Sequence, residues 1–387
     1  GRNEYEGIVL DPSETCPATV LNLWQGFAVE AREGDCSKQL DFRRRIVCRG
    51  DEVAFQYLLN LEALMIQKPG ELTGVVLILR GGQGVGKSVL AGQIGSLFGP
   101  AYKRISHQSI TTNHFNAWQG GTAVVFIDEA HWAGDKTAEC FLRSNITDKL
   151  MMKEPKGVDH VPMVNHAKWI IATNEYYYFP AALDDRRAVP YLFSSAVKQD
   201  TEYFAALQDD WDSRGGKEAY LHFLKNRDIS RFDPLKRPEA CVRELWSQKV
   251  HHMDPLENWF WHFLRDGGFW HKPEETTHVL LSELFRDYKM HFEQSRANRH
   301  GFIKNAELLW GMLKERFLPK REYKRETVAT GSSSRANVYP LPPLDDLRTH
   351  FAETVALTPF DVVFSDLPEQ DVTMRDAAAA SGANPER

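Results

Sequence analysis

Residues 75–98 read VVLILRGGQGVGKSVLAGQIGSLF, and this stretch decides the fold. The run at 75–79 is apolar throughout, which predicts a buried strand. Residues 81–88, GGQGVGKS, match the pattern G-x-x-x-x-G-K-[ST], and the residues after them predict a helix. A strand, a glycine-rich turn and a helix in this order predict a P-loop, the element that wraps the phosphates of a nucleotide.

The P-loop residues have separate expected roles. Glycines allow backbone N–H groups to approach phosphate oxygens, and the following helix directs its positive N-terminus at the same anion. We expect Lys87 to reach the β- and γ-phosphates and Ser88 to bind Mg²⁺, so ATP and Mg²⁺ are the predicted cofactors. The predicted nucleotide-binding residues are Gly81, Gly82, Gln83, Gly84, Val85, Gly86, Lys87 and Ser88.

Two further apolar runs, at residues 123–127 and 169–172, predict strands of the same sheet. They are apolar throughout and are separated by helical or mixed segments, so we expect parallel strands covered on both faces. The predicted fold class is therefore α/β. A three-layer P-loop ATPase domain is expected over residues 71–233.

Polar residues follow both of these strands. Asp128 and Glu129 end the first run, which places two carboxylates at the edge of the sheet where the P-loop lies. We expect Asp128 to hold Mg²⁺ through water and Glu129 to polarise the water that attacks the γ-phosphate. Asn174 follows the second run and is the expected sensor of that water or of the γ-phosphate.

Two arginines, Arg186 and Arg187, lie shortly after Asn174. No nucleotide contact within their own chain can be assigned to them. In a ring ATPase an arginine at this place reaches the γ-phosphate of the neighbouring subunit and stabilises transition-state charge. Either arginine fits this catalytic role. The alternative is an ion pair within the chain, to Asp184 or Asp185.

A hairpin is predicted just before the sensor strand. Residues 149–154 and 158–164 are its expected arms, and lysines lie near its tip. A loop of this kind suits a central channel in which it contacts DNA phosphates, and Lys153 and Lys156 are the predicted DNA-binding residues. A plain surface hairpin is the alternative.

The first 70 residues are predicted to form an irregular segment and then a helical collar. Apolar residues recur at helical spacing over 37–67. Gly50 separates two helices, and Asp51 is the expected N-cap of the second.

Residues 234–360 are predicted to form a helical module that contacts DNA. A helix near 280–292, another near 305–317 and a hairpin around Gly331 outline a winged helix. Residues 286–325 contain eleven Lys or Arg against five Asp or Glu, whereas the whole chain has a net charge of −6. This asymmetry favours one DNA-facing module, and a solvated basic face is the alternative.

Composition excludes other classes. No apolar run reaches the ~18 residues that a membrane span needs, and the first residues lack the pattern of a secretory signal. The five cysteines include no CxxC pair, which argues against a zinc site and a disulfide framework. We expect a protein of the bacterial host cytoplasm without a membrane partner. Residues 361–387 are acidic, then alanine-rich, and are predicted to be disordered.

These motifs in this order resemble a superfamily 3 helicase. The segments GIVLDPS, LNLWQGFAVEAREGDCS, FNAWQG, KEPKGVD and ATNEYYYFPAALDDRR are similar to the helicase part of phage and prophage primase-helicases, and the likeness covers residues 7–200. The resemblance implies an AAA+-type homo-hexamer that moves on single-stranded or forked DNA. It also implies a primase or polymerase, as a preceding domain or as a partner.

The expected function is an ATP-dependent, ring-forming DNA helicase of phage or mobile-element replication. Its first alternative is a replication initiator or loader that melts an origin and uses ATP as an assembly switch. A second alternative is a nucleotide-regulated interaction protein with slow turnover. The hydrolytic set that includes Glu129 and Asn174 favours the helicase.

Overall fold

The computed structural model describes residues 5–106, 117–129, 144–153, 161–174, 187–268, 278–294, 302–329, 335–355 and 363–364. Two compact units divide the chain, one built from Gly1–Leu245 and the other from Trp246–Pro368. None of the helices in the described ranges combines the length and hydropathy that a bilayer crossing requires.

The first unit contains a central sheet with helices before, between and after its strands. The helices are α1 (Ser37–Asp41), a π-helix (Phe42–Val47), α2 (Glu52–Gln67), α3 (Lys87–Phe98), α4 (Thr201–Ser213), α5 (Gly216–Lys225) and α6 (Glu239–His252), the last of which contains the boundary between the units. The strands are β1 (Gly7–Val9), β2 (Val20–Asn22), β3 (Val76–Arg80), β4 (Tyr102–Ser106), β5 (Val124–Asp128), β6 (Leu150–Lys153), β7 (Val161–Val164), β8 (Lys168–Thr173) and β9 (Ala188–Leu192).

The central sheet has five parallel strands in the order β4-β5-β8-β3-β9. Strands β3 and β8 are buried along their whole length, and β5 is buried up to Ile127. These are the three strands that the apolar runs predict, so the α/β class is confirmed. The two outer strands, β4 and β9, were not predicted.

The collar helix α2 begins where the sequence predicts. Asp51 is its N-cap, and the side-chain carboxylate accepts a hydrogen bond from the Ala54 backbone N–H at 2.9 Å. The Tyr191 hydroxyl on β9 donates to the Ala54 carbonyl at 2.8 Å, so the start of the helix is tied to the sheet. The predicted irregular segment before the collar differs in one respect, because β1 and β2 form a short parallel pair.

A buried polar network joins the collar to the helix that follows the P-loop. Arg43, in the π-helix, donates from Nε to both Glu62 carboxylate oxygens at 3.0 and 3.1 Å. Its Nη1 donates to Gln93 on α3 at 3.1 Å. The Tyr220 hydroxyl donates to Glu62 at 2.6 Å, and its ring lies 4.1 Å from the Arg43 guanidinium. A buried charge is costly without partners, so this network restrains the orientation of α3 against the collar.

The second unit combines helices with a small antiparallel sheet in the order β10-β12-β11. Its elements in chain order are α7 (Pro255–Arg265), β10 (His278–Leu280), α8 (Leu281–Gln294), α9 (Ala306–Arg316), β11 (Glu326–Ala329), β12 (Arg335–Pro340) and α10 (Leu344–Val355). Helices α8 and α9 lie where the sequence predicts helices. The predicted hairpin has its arms in β11 and β12, and its tip lies outside the described residues, as does the predicted tail except for residues 363–364.

Candidate nucleotide-binding site

The predicted P-loop connects the end of β3 at Arg80 to the start of α3 at Lys87. Gly84 and Gly86 have φ angles of 80° and 100°, in the left-handed region that favours glycine. A Cβ on Gly86 would lie 2.8 Å from Phe204 Cε1 and 3.1 Å from Phe42 Cε2. The backbone can therefore take this tight path only with glycine at position 86.

Lys87 is buried at the centre of the loop and is held by three acceptors. Its Nζ donates to the Gly81 carbonyl at 2.6 Å, to the Gly82 carbonyl at 2.8 Å and to Asn174 Oδ1 at 2.7 Å. Burial lowers the pKa of Lys87 to about 8, although the nearby charges of Asp128 and Glu129 oppose this shift. The cation thus lies beside the strand-end asparagine, as the sequence predicts.

The two predicted carboxylates lie at the same edge of the sheet. Asp128 is the last residue of β5, and Glu129 follows it with φ at 52° and an exposed side chain. A left-handed conformation at a residue other than glycine costs about 1–3 kcal/mol and is concentrated at functional sites. The strand order explains the convergence, since β8 lies between β3 and β5 and carries Asn174 between the P-loop and the carboxylates.

These residues surround one cavity of about 450 Å³. Its lining includes most of the predicted site: Gln83, Gly84, Gly86, Lys87, Ser88, Asp128, Glu129 and Asn174. Ser88 and Asp128 supply the oxygen ligands that Mg²⁺ prefers, and Mg²⁺ usually takes one or two protein ligands together with water and phosphate oxygens. The donor set therefore fits a magnesium ion that arrives with a polyphosphate.

Phe204 and Arg104 are among the cavity residues that were not predicted as site residues. Phe204, on α4, closes the cavity beside Gly86, and Arg104, on β4, forms an ion pair with Asp128. Neither belongs to a recognisable motif, since one lies in an amphipathic helix and the other in a short charged strand. Only the register of β4 against β5, which pairs Ser106 with Asp128, shows that Arg104 can reach the carboxylate.

Arg187 lies away from this cavity within its own chain. It immediately precedes β9, whose first residue, Ala188, pairs with Val76 at the start of β3. The five residues of β9 span about 17 Å, so Arg187 is at the edge of the sheet opposite the P-loop. Its side chain lines a second cavity of about 850 Å³. Asp184 and Asp185, the alternative ion-pair partners, lie outside the described residues. Arg186 lies outside the described residues.

The hairpin predicted to contact DNA is described in part. Strands β6 and β7 pair antiparallel, with Leu150 opposite Val164 and Lys153 opposite Val161. The backbone of Lys153 therefore ends the first arm. Lys156 lies outside the described residues.

Comparisons with known proteins give a family match over part of the chain, and a fold. Residues 79–187 match a family of unknown function (DUF5906), and no curated protein matches the chain. The apo structure of the NrS-1 C-terminal region (305–718) has 16% sequence identity and a TM-score of 0.61, with 87% of this chain and 85% of that chain covered. Two A-form apo structures of the same region have the same identity and coverage, with TM-scores of 0.60 and 0.59. At this identity the likeness shows the fold alone.

Proposed function

We propose that this chain is an ATP-dependent, ring-forming DNA helicase of phage or mobile-element replication. The observation that carries the proposal is the convergence of Lys87, Asp128 and Asn174 on one cavity at the carboxyl edge of a parallel sheet. A buried cation, an oxygen ligand for a metal and a strand-end amide form the set that phosphoryl transfer from a nucleotide requires.

Each residue has a distinct part in the proposed hydrolysis. The Lys87 ammonium, now bound to the Gly81 and Gly82 carbonyls, is compact and can turn to phosphate oxygens in the same cavity. Glu129, exposed at the rim, can accept a proton from the attacking water. Bound Mg²⁺ would neutralise phosphate charge, with Ser88 and Asp128 as its protein ligands.

The strand order supports an AAA+-type assignment. The sensor strand β8 lies between the P-loop strand and the carboxylate strand, and neighbouring strands are about 5 Å apart. Asn174 therefore spans the gap that a γ-phosphate would occupy. Arg187 lies far from the nucleotide cavity of its own chain, which agrees with a role at the γ-phosphate of a neighbouring subunit in a homo-hexamer.

The second unit supports contact with DNA. Its order of helix, strand, two helices and two strands, with β10 paired to β12, agrees with the proposed winged helix. In such modules the helix before the two strands enters the major groove. Here that helix is α9, and exposed basic residues lie just before it, on it and after it: Lys304, Lys314, Lys320, Arg321, Lys324 and Arg325.

The test of the site uses two variants with opposite expected effects. Lys87→Ala should abolish binding of a fluorescent ATP analogue, because the variant lacks the charge for the phosphates. Glu129→Gln should still bind ATP but should lose hydrolysis, because an amide cannot take the proton from water. Lys103→Ala is the matched control, since Lys103 is exposed and is not part of the cavity lining. Equal ATP affinity in wild type and Lys87→Ala would refute the site.

A replication initiator or loader is the second candidate function, and the winged-helix order of the second unit favours it. Such a protein would bind duplex DNA and use ATP to assemble. Strand displacement on a synthetic fork separates the two, because an assembly switch melts a short region without continuing along the strand.

A further inference from the structure

Arg104 is the one strongly basic side chain of the described cavity lining that the proposed function leaves without a role. It lies in the middle of β4, the strand at the edge of the sheet. Its side chain is 61% exposed, while that of its partner Asp128 is 22% exposed. The guanidinium Nη2 donates to Asp128 Oδ2, and its centre lies 5.7 Å from the Phe126 ring. An exposed arginine therefore reaches inward to the expected metal ligand.

Two cations of the cavity, Lys87 and Arg104, have partners within the chain. Lys87 is bound to Asn174 and to P-loop carbonyls, and Arg104 is bound to Asp128. Mg²⁺ requires near-ideal octahedral geometry with short metal–oxygen distances. A guanidinium hydrogen-bonded to a carboxylate oxygen blocks that oxygen from a metal ion. It also adds positive charge beside the metal site. The pair thus competes directly with a metal ion for Asp128.

We propose that Arg104 makes metal binding depend on nucleotide: it holds Asp128 while the cavity is empty and exchanges to the polyphosphate when nucleotide and metal enter together. This inference rests on the proposed nucleotide-binding function. Phosphates favour both events in this exchange. They attract the metal ion to Asp128, and they give the released Arg104 guanidinium an anion that it can bind through two parallel hydrogen bonds.

The position of Arg104 suits such an exchange better than a fixed structural pair. Its high exposure leaves room for the side chain to move, and an exposed ion pair is weak enough to break without damage to the fold. By contrast, the pair of Arg80 with Glu244 in the same unit is almost completely buried, at 5% and 7% side-chain exposure. A pair of that kind holds elements together, and it would not exchange.

The experiment measures Mn²⁺ binding to the full chain by electron paramagnetic resonance, first without nucleotide. Arg104→Ala should bind Mn²⁺ about two- to fivefold more tightly than wild type, because an exposed competing pair has been removed. Arg104→Gln should give the same gain, and Asp128→Asn in the Arg104→Ala background should abolish it. Lys103→Ala removes an equal charge from the same strand and should leave the affinity unchanged. Thermal unfolding of each variant checks that it is folded.

The same titration with ADP tests the exchange. Once nucleotide is bound, Arg104→Ala should have no advantage over wild type in Mn²⁺ affinity. The proposal is overturned if Arg104→Ala binds Mn²⁺ no better than wild type, if Lys103→Ala gives the same gain, or if the gain persists with ADP. Failure of the proposed function is a separate result, because it would appear as unchanged nucleotide affinity in Lys87→Ala.

Discussion

At the scale of single residues, Lys87 is a buried positive charge of the cavity, and its burial has a consequence for pH dependence. Its pKa is lowered to about 8, so the free side chain loses its proton as pH rises through this value. Phosphates favour the charged form, so nucleotide binding is linked to protonation of Lys87. If the chain binds nucleotide as proposed, its affinity should decline as the pH rises through about 8.

We therefore predict that the affinity for a fluorescent ATP analogue is constant between pH 6.5 and 7.5 and falls by up to about tenfold per pH unit above 8. A fluorescence titration at fixed ionic strength measures it. An affinity that stays level to pH 9.5 in folded protein would show that the phosphates do not need this ammonium.

The sequence predicted the cavity residues that belong to a motif. It did not predict those that strand register or helix packing brings to the cavity. Lys87, Asp128 and Asn174 each follow or end a recognisable element, and parallel strands bring such ends to one edge. Arg104 lies in YKRIS, a strand without an apolar run, and Phe204 lies in a helix whose packing is set by the tertiary fold. No local pattern identifies either residue as part of the cavity.

At the scale of elements, the same reasoning explains which strands were predicted. Strands buried on both faces are apolar throughout and stand out in the sequence. Strand β4 has three exposed and two half-buried residues, and β9 contains Pro190, which pairs with Ile78. Proline is confined to edge strands because it cannot donate to the ladder, and β9 is an edge strand. Both strands lie at the sides of the sheet, and neither has the continuous apolar run by which the central strands were predicted.

Helix α3 offers a matched pair of glycines for testing the packing of the P-loop helix. A Cβ on Gly95 would overlap the Tyr102 ring, whereas a Cβ on Gly92 would meet no atom within 4 Å. Gly95→Ala should destabilise the protein by about 1–3 kcal/mol through overpacking. Gly92→Ala should stabilise it by about 0.4–1 kcal/mol through the lower entropy of the unfolded chain. Urea denaturation measures both, and a similar change in the two variants would contradict this packing.

At the scale of the whole molecule, the proposal requires that subunits complete one another's sites. Arg187 lies at the sheet edge opposite its own P-loop, so under this proposal it would act at a neighbour's nucleotide. Arg187→Ala or Arg186→Ala should then lower ATP turnover by about a thousandfold. Mixing the responsible arginine variant with Lys87→Ala should recover part of the activity, since some interfaces regain a complete site.

The mixing experiment needs proof that mixed assemblies form, which differently labelled subunits provide by energy transfer. If mixed assemblies are present and no ratio of the two variants recovers hydrolysis, neither arginine acts across a subunit boundary.

Strand displacement on a forked substrate tests whether hydrolysis at this site moves the protein along DNA. We expect ATP-dependent displacement by the wild type and none by Lys87→Ala. Lys153→Ala with Lys156→Ala should keep basal ATP hydrolysis but lose its stimulation by single-stranded DNA and the displacement. Lys103→Ala with Lys236→Ala, an equal loss of charge at exposed positions elsewhere, should displace the strand at the wild-type rate. Displacement by the hairpin variant at the wild-type rate, or its absence in a wild type that hydrolyses ATP, would contradict the account.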